Sequence, residues 1–146
     1  MTPAHLWVAG VTLLVTALSV ALHYEGLLWM ARRFGSRRTP IGRHVMLVII
    51  TGLVGLHVTE IGLYGFALWL LLQWPDSGSI AGADPAGLAD AMYLSAVSYS
   101  TVGFGDVAPI GGVRFLVATE SLIGLMMITW SASFTYLEMS RHWRRR

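Results

Sequence analysis

The chain has 146 residues, of which 55% are hydrophobic and only 12% charged, and its mean hydropathy is +0.62. Such a composition indicates an integral membrane protein, with room for a few spanning segments but not for an additional folded ligand-binding domain. The sequence contains no cysteine, which excludes disulfides, thiolate zinc sites and a cysteine nucleophile.

The first apolar segment, 6–29, is long enough to cross a bilayer as a helix, which takes about 20 residues. A cleaved signal peptide is the alternative, but residues 1–5 carry no Lys or Arg, and basic residues follow the apolar run instead of preceding it. We therefore predict an N-terminal transmembrane helix over 1–31. Because it has no arginine ladder, we expect a peripheral packing helix and not a voltage sensor.

All ten basic residues are arginine, and nine of them lie in 32–43 and 141–146. Basic runs beside apolar spans are the positive-inside signal, with anionic lipid headgroups as counter-charge, so we do not expect nucleic-acid binding. We predict a basic cytoplasmic linker over 32–44 and a basic cytoplasmic tail over 140–146. With three spans, the N-terminus then lies outside.

Two further apolar segments, 45–72 and 113–137, are also long enough to span. The region between them, 73–112, contains four aspartates and no basic residue, which indicates an acidic external segment. The layout is therefore two spans joined by a long external connection.

A short helix is predicted inside this connection. Asp84 followed by Pro85 is typical of a helix start, with an aspartate cap and proline in the first turn. The helix should run to about Ser100. Since 88–100 is too short to cross a membrane, we expect a re-entrant element whose backbone is covered by protein or water.

A six-residue string follows this helix: Thr101, Val102, Gly103, Phe104, Gly105 and Asp106. Alternate glycines permit backbone conformations that residues with side chains resist, and such a backbone can aim consecutive carbonyl oxygens at one axis. Carbonyl oxygens can replace the hydration shell of a potassium ion. A simple glycine turn is the alternative, which the position between a short helix and a full span disfavours.

This string is similar to the TVGYG selectivity filter of potassium channels, with Phe104 in place of the commoner tyrosine. The resemblance covers the pore-helix, filter and inner-helix module from about Leu88 to Glu138. The chain also resembles small bacterial ion-channel proteins that carry a histidine and an acid on the span before the pore. The resemblance implies an all-α membrane protein with three transmembrane helices, a re-entrant pore helix and a filter loop, in which 45–139 is the pore domain of a tetrameric pore.

The resemblance also implies the site. Thr101–Gly105 would form the filter, with K+ held at Thr101, Val102, Gly103 and Phe104, and Asp106 would lie at the outer mouth. Val97 stands where some members have a glutamate that pairs with the filter aspartate, so we expect that pair to be absent. K+ is then the permeant ligand, no other cofactor is expected, and the homotetramer would lie in the bacterial inner membrane.

In the third span, the resemblance places Gly124 at the hinge glycine of inner helices, although a glycine inside a membrane helix also serves close packing. The same alignment implies a set of cavity-lining residues: Leu125, Ile128, Ala132 and Tyr136.

Three ionisable residues of the second and third spans are candidates for a functional role. His57 and Glu60 share one helical face of the second span, and Glu120 lies in the third. One interpretation is that they form a proton-sensitive gate or part of an ion path. The other, which we favour, is that they hydrogen-bond to the pore helix and support the filter. A zinc site would need further ligands, and we expect none. The other histidines are interpreted as isolated or at span ends: His5, His23, His44 and His142.

The function predicted from these residues is passive, potassium-selective conduction. A nonselective cation pore and a non-conducting accessory subunit are the alternatives. No nucleophile–base pair or phosphate-cradling loop is recognisable, so we do not expect an enzyme.

Overall fold

A computed structural model of the chain describes residues 3–34, 43–83 and 85–143. Three long helices dominate it: α1 (Pro3–Phe34), α2 (Arg43–Leu72) and α4 (Arg114–Trp143). At 1.5 Å per residue, each is about 45 Å long, more than the hydrocarbon core of a bilayer. All three are long and apolar enough to cross a membrane, which confirms the three expected spans.

A shorter helix, α3 (Leu88–Tyr99), packs against both α2 and α4, while α1 packs against the same two long helices. The contact of α3 with α2 is close, because a Cβ at Gly65 would lie 2.6 Å from Met92 Sδ. The buried apolar side chains around α3 include Tyr64, Leu68, Leu94 and Leu116. The fold therefore holds α3 from two sides between helices of membrane-spanning length.

The start of α3 differs from the prediction. Gly87 is the N-cap, and its N–H donates to the Asp90 carboxylate at 2.8 Å. An acid at the third helical position thus satisfies the backbone at the cap, and it decides where the helix begins. The predicted start at Asp84 and Pro85 is wrong, since Pro85 lies in a turn before the helix; Asp84 itself is outside the described residues.

Two short strands, β1 (Ser79–Ala81) and β2 (Ala108–Ile110), pair antiparallel on either side of α3 in sequence. The Val113 N–H also donates to the Ser77 carbonyl at 2.9 Å. A single 3-10 turn, Gly111–Val113, then leads into α4. The fold is mostly helical, as predicted, but the all-α prediction did not include this small sheet. The sheet joins the chain before α3 to the chain that enters α4.

The described basic residues lie near helix ends. Arg32 and Arg33 occupy the last turn of α1, and Arg43 begins α2. The rest of the predicted linker, 35–42, and the end of the predicted tail, 144–146, lie outside the described residues.

Candidate functional site

The 101–106 segment leaves α3 directly and leads to β2. The backbone φ is +58° at Thr101, +51° at Gly103 and +82° at Gly105, whereas it is negative at Val102 and Phe104 between them. Alternation of this kind turns successive N–H groups to one side of the chain and the carbonyl oxygens to the other. Gly103 and Gly105 adopt positive φ without the steric cost that a Cβ imposes. Such a backbone can present a row of carbonyl oxygens along one edge.

Two backbone hydrogen bonds tie the start of this segment to α3. Thr101 N–H donates to Ser98 O at 2.9 Å, and Gly103 N–H donates to Val97 O at 3.1 Å. All six residues of the segment are exposed in a single chain, with Phe104 71% and Val102 55% exposed. These two large apolar side chains are therefore left largely uncovered within one chain.

Asp106 bonds to α3 through a residue that the sequence analysis did not assign to the site. The Tyr93 hydroxyl donates to Asp106 Oδ2 at 2.8 Å, and this hydrogen bond raises the pKa of the Tyr93 phenol above its ordinary value. Val97 lies one helical turn further along α3 and is buried. The side chain that bonds to Asp106 is therefore Tyr93, which lies one helical turn before Val97.

Four side chains meet at the C-terminal end of α3, and we call them the Glu60 cluster: His23 of α1, His57 and Glu60 of α2, and Tyr99 of α3. Glu60 Oε1 lies 2.9 Å from His23 Nδ1, and Glu60 Oε2 lies 3.3 Å from His57 Nδ1. The Tyr99 hydroxyl donates to Glu60 Oε2 and lies 2.9 Å from His57 Nδ1. His23 and Glu60 are fully buried, so both oxygens of a buried carboxylate have partners, as apolar surroundings demand.

Glu120 contacts α3 from the α4 side. Ser95 Oγ lies 2.5 Å from Glu120 Oε1 and 2.8 Å from the Ile61 carbonyl oxygen. A hydroxyl has one proton to donate, so both short contacts are hydrogen bonds only if the Glu120 carboxyl supplies the second proton. Glu120 is fully buried, and its Oε2 has no hydrogen-bond partner among the described residues. A neutral carboxyl fits such a site better than a carboxylate.

A family model described as "Ion channel" matches residues 44–139, which include most of α2, all of α3, the 101–106 segment and most of α4. The chain belongs to this ion channel family.

The chain is also similar to individual bacterial proteins. The chain is 37% identical to protein LctB of Geobacillus stearothermophilus, over 42% of this chain and 63% of that protein, and 36% identical to protein LctB of Bacillus caldotenax over the same shares. It is 30% identical to the inward rectifier potassium channel Kirbac3.1 of Paramagnetospirillum magnetotacticum, over 64% of this chain and 30% of that protein. The alignments thus span less than two thirds of the length of these curated relatives. No solved structure matches the chain.

These matches confirm the resemblance drawn from the sequence: the ion channel domain is a pore module of the potassium-channel superfamily. Membership of an ion channel family also indicates that the protein is not an enzyme.

In this ion channel module, the four residues predicted to line a cavity lie along one exposed stripe of α4: Leu125, Ile128, Ala132 and Tyr136. Their spacing of three, four and four residues keeps them on one helical face. Gly124 instead packs against the end of α3, where a Cβ would lie 2.3 Å from the Tyr99 carbonyl oxygen. Close packing is thus an observed property of Gly124, while its hinge role and the cavity lining stay predictions.

His23 and Tyr99 are the cluster residues that were not predicted from the sequence. The expectation that His23 is isolated is wrong, and so is the expectation that no further ligand accompanies His57 and Glu60. Potential metal-binding atoms of His23, His57 and Glu60 lie within 4.8 Å of one another. Since His23 and Glu60 are 37 residues apart, no local pattern joins them. The sequence signal that could have identified His23 is its position as an ionisable side chain in the middle of an apolar span.

Proposed function

We propose that four copies of this chain form a potassium-selective channel that conducts K+ passively across a membrane. The observation that carries the proposal is the alternating sign of φ from Thr101 to Gly105, which gives one row of carbonyl oxygens per chain. A ring of oxygens that replaces the hydration shell of K+ requires such rows from four chains around one axis. The Thr-Val-Gly-Phe-Gly string and the 30% identity to an inward rectifier potassium channel favour K+ over other cations.

The tetramer is supported by what one chain leaves uncovered. Val102 and Phe104 are large apolar side chains with most of their surface exposed, and the predicted cavity-lining stripe of α4 is exposed as well. In the proposed assembly, neighbouring copies cover Phe104, which then helps to set the width of the filter. The α4 stripe faces a shared, water-filled cavity.

α3 acts in this proposal as the re-entrant pore helix. Its 12 residues extend only about 18 Å, less than a bilayer core of roughly 30 Å. Helix C-termini carry partial negative charge, so four α3 helices whose C-termini point towards the axis would stabilise a cation there. Glu60 and Glu120 bond to α3 from α2 and α4, which supports a filter-holding role over a gating role.

The orientation follows from charge. Arg32, Arg33 and Arg43 would lie on the cytoplasmic side against anionic lipid headgroups, with the C-terminus on the same side and the N-terminus outside. Asp106 would then lie at the outer mouth. The bacterial inner membrane is the proposed location, since the relatives are proteins of bacteria.

The test is potassium efflux from liposomes that contain the purified protein. We expect efflux that barium blocks, together with a cross-linked species of four chains. Equal efflux of sodium and potassium would indicate a nonselective cation pore, and a correctly inserted protein without any flux would indicate a non-conducting accessory subunit.

A further inference from the structure

We propose that the Glu60 cluster is a binding site for a divalent transition-metal ion of the Zn2+ class, with one ion per chain. The proposal concerns binding at buried side chains of one chain and does not depend on the proposed conduction.

The donor set is the first support. The ligand atoms would be one ring nitrogen of His23, one ring nitrogen of His57 and a Glu60 carboxylate oxygen, which lie within 4.8 Å of one another. Two imidazoles and one carboxylate are a set that zinc uses in proteins. The Tyr99 hydroxyl oxygen is next to both Glu60 Oε2 and His57 Nδ1 and can fill the fourth tetrahedral position.

The distances are the second support. Two ligand atoms of one tetrahedral zinc ion lie about 3.3 Å apart when each is about 2.0 Å from the metal. The observed separations are 2.9 Å for His23 Nδ1 and Glu60 Oε1, and 3.3 Å for His57 Nδ1 and Glu60 Oε2. Each imidazole is thus already near the ligand-to-ligand distance of a zinc site from one oxygen of the same carboxylate.

Proton positions are compatible with metal binding. The contacts of both Nδ1 atoms with the carboxylate are hydrogen bonds only if protons lie between the atoms, and a bound cation would replace these protons. Each neutral imidazole then carries its proton on Nε2. Ser131 Oγ lies 3.4 Å from His23 Nε2 and can accept that proton, in the way that outer partners orient metal-binding histidines.

Burial and access also fit. His23 and Glu60 are fully buried, which removes competing water from the ion, and the Glu60 carboxylate balances part of its charge. The His57 side chain is 18% exposed, so the cluster is open on that side. Ligands from α1, α2 and α3 would be cross-linked by the ion, and we expect bound metal to raise the unfolding temperature.

The experiment is a Co2+ titration of the full-length protein, purified in detergent after treatment with a chelator. We expect the visible absorption of tetrahedral Co2+, saturation at one ion per chain, and displacement by Zn2+. The Trp130 ring lies 5.4 Å from the His23 ring, so Co2+ should also quench Trp130 fluorescence. A Trp130→Phe variant should keep the absorption band and lose most of the quenching.

Ligand variants decide the location. His57→Asn should weaken Co2+ binding by at least about 100-fold, and Ser131→Ala by about 10-fold, as an outer partner does. His44→Asn is the matched control, because His44 is exposed at the start of α2, and it should bind as the wild type does. Because His23 is fully buried, its replacement could also prevent folding. The wild-type titration and the Trp130→Phe variant therefore test whether the metal binds next to His23 without a change at His23 itself.

The proposal is overturned if the wild type binds no Co2+ or Zn2+, if His57→Asn leaves binding unchanged, or if His44→Asn abolishes it. A protein that conducts K+ but binds neither metal contradicts the metal site alone. A protein that binds metal at the cluster but does not conduct contradicts the proposed function alone.

Discussion

The 101–106 segment and the Glu60 cluster adjoin each other at the end of α3, but their polar groups have different partners. Every residue of the segment is exposed in one chain, and φ alternates in sign along it. In the cluster, both Glu60 oxygens bond to side chains of the same chain, and the carboxylate is fully buried. We infer that the segment is completed only by assembly, whereas the cluster is completed by folding. Changes in the first should alter conduction, and changes in the second should alter stability.

The largest effect on conduction is expected from Gly103→Ala. Gly103 has a φ of +51°, and nothing lies within 4 Å of a Cβ built there, so the cost within one chain is backbone conformation, about 1–2 kcal/mol in each subunit. Potassium flux into liposomes should fall to background, while the helix content of the protein stays unchanged.

The matched control is Gly10→Ala on α1, where a Cβ also meets nothing within 4 Å but φ is not positive. Its flux should equal that of the wild type. Normal flux from Gly103→Ala would show that conduction does not depend on the backbone of this segment.

Glu60→Ala should have the largest effect on stability. It leaves buried His23 and Tyr99 without their common acceptor, and loss of one partner from such a buried pair costs about 3–5 kcal/mol. Glu60→Gln should be milder, because the amide oxygen can still accept from Tyr99. Unfolding in detergent, followed by circular dichroism, measures both; a Glu60→Ala protein as stable as the wild type would contradict the structural role of the cluster.

Gly124→Ala tests the contact between α4 and the end of α3. A Cβ there would overlap the Tyr99 carbonyl oxygen, and overpacking of this kind costs about 1–3 kcal/mol. Gly62→Ala on α2 is the control, because a Cβ at that position meets nothing within 4 Å. If both variants unfold at the wild-type temperature, the close approach of α4 to α3 is incorrect.

Tyr93→Phe should have the smallest effect on stability, because its hydrogen bond to Asp106 is exposed to solvent. The bond raises the pKa of the Tyr93 phenol, so its contribution is present below the ordinary tyrosine pKa and is lost as the pH rises through the higher folded value. An ultraviolet difference titration of wild type against Tyr93→Phe should show one phenol that ionises later than a free tyrosine. A phenol that ionises at the ordinary pH would rule the bond out.

The same contrast explains what could be predicted from sequence. The three spans were predictable because a long apolar run is typical of a transmembrane helix. The 101–106 segment was predictable because it is a local motif, and its glycines occur where φ is positive. In the Glu60 cluster, His23 and Tyr99 lie 37 and 39 positions from Glu60, and no local periodicity encodes those distances. β1 and β2 were missed for the same reason, since each has only three residues and its partner lies beyond α3.

The start of α3 was misplaced for a different reason. Asp84 and Pro85 carry an ordinary helix-start signal, but Gly87 and Asp90 supply a competing cap, in which the Gly87 N–H donates to the Asp90 carboxylate. The functional roles of the filter, cavity and hinge residues stay predictions, because they require neighbouring chains and ions.

The most direct test of the central claim is the reversal potential of wild-type protein in a planar bilayer, with potassium on one side and sodium at equal concentration on the other. A filter formed by four 101–106 segments predicts a current that reverses far from zero, at the polarity that opposes potassium efflux. A reversal potential at zero would mean that sodium and potassium permeate equally, and it would contradict the claim.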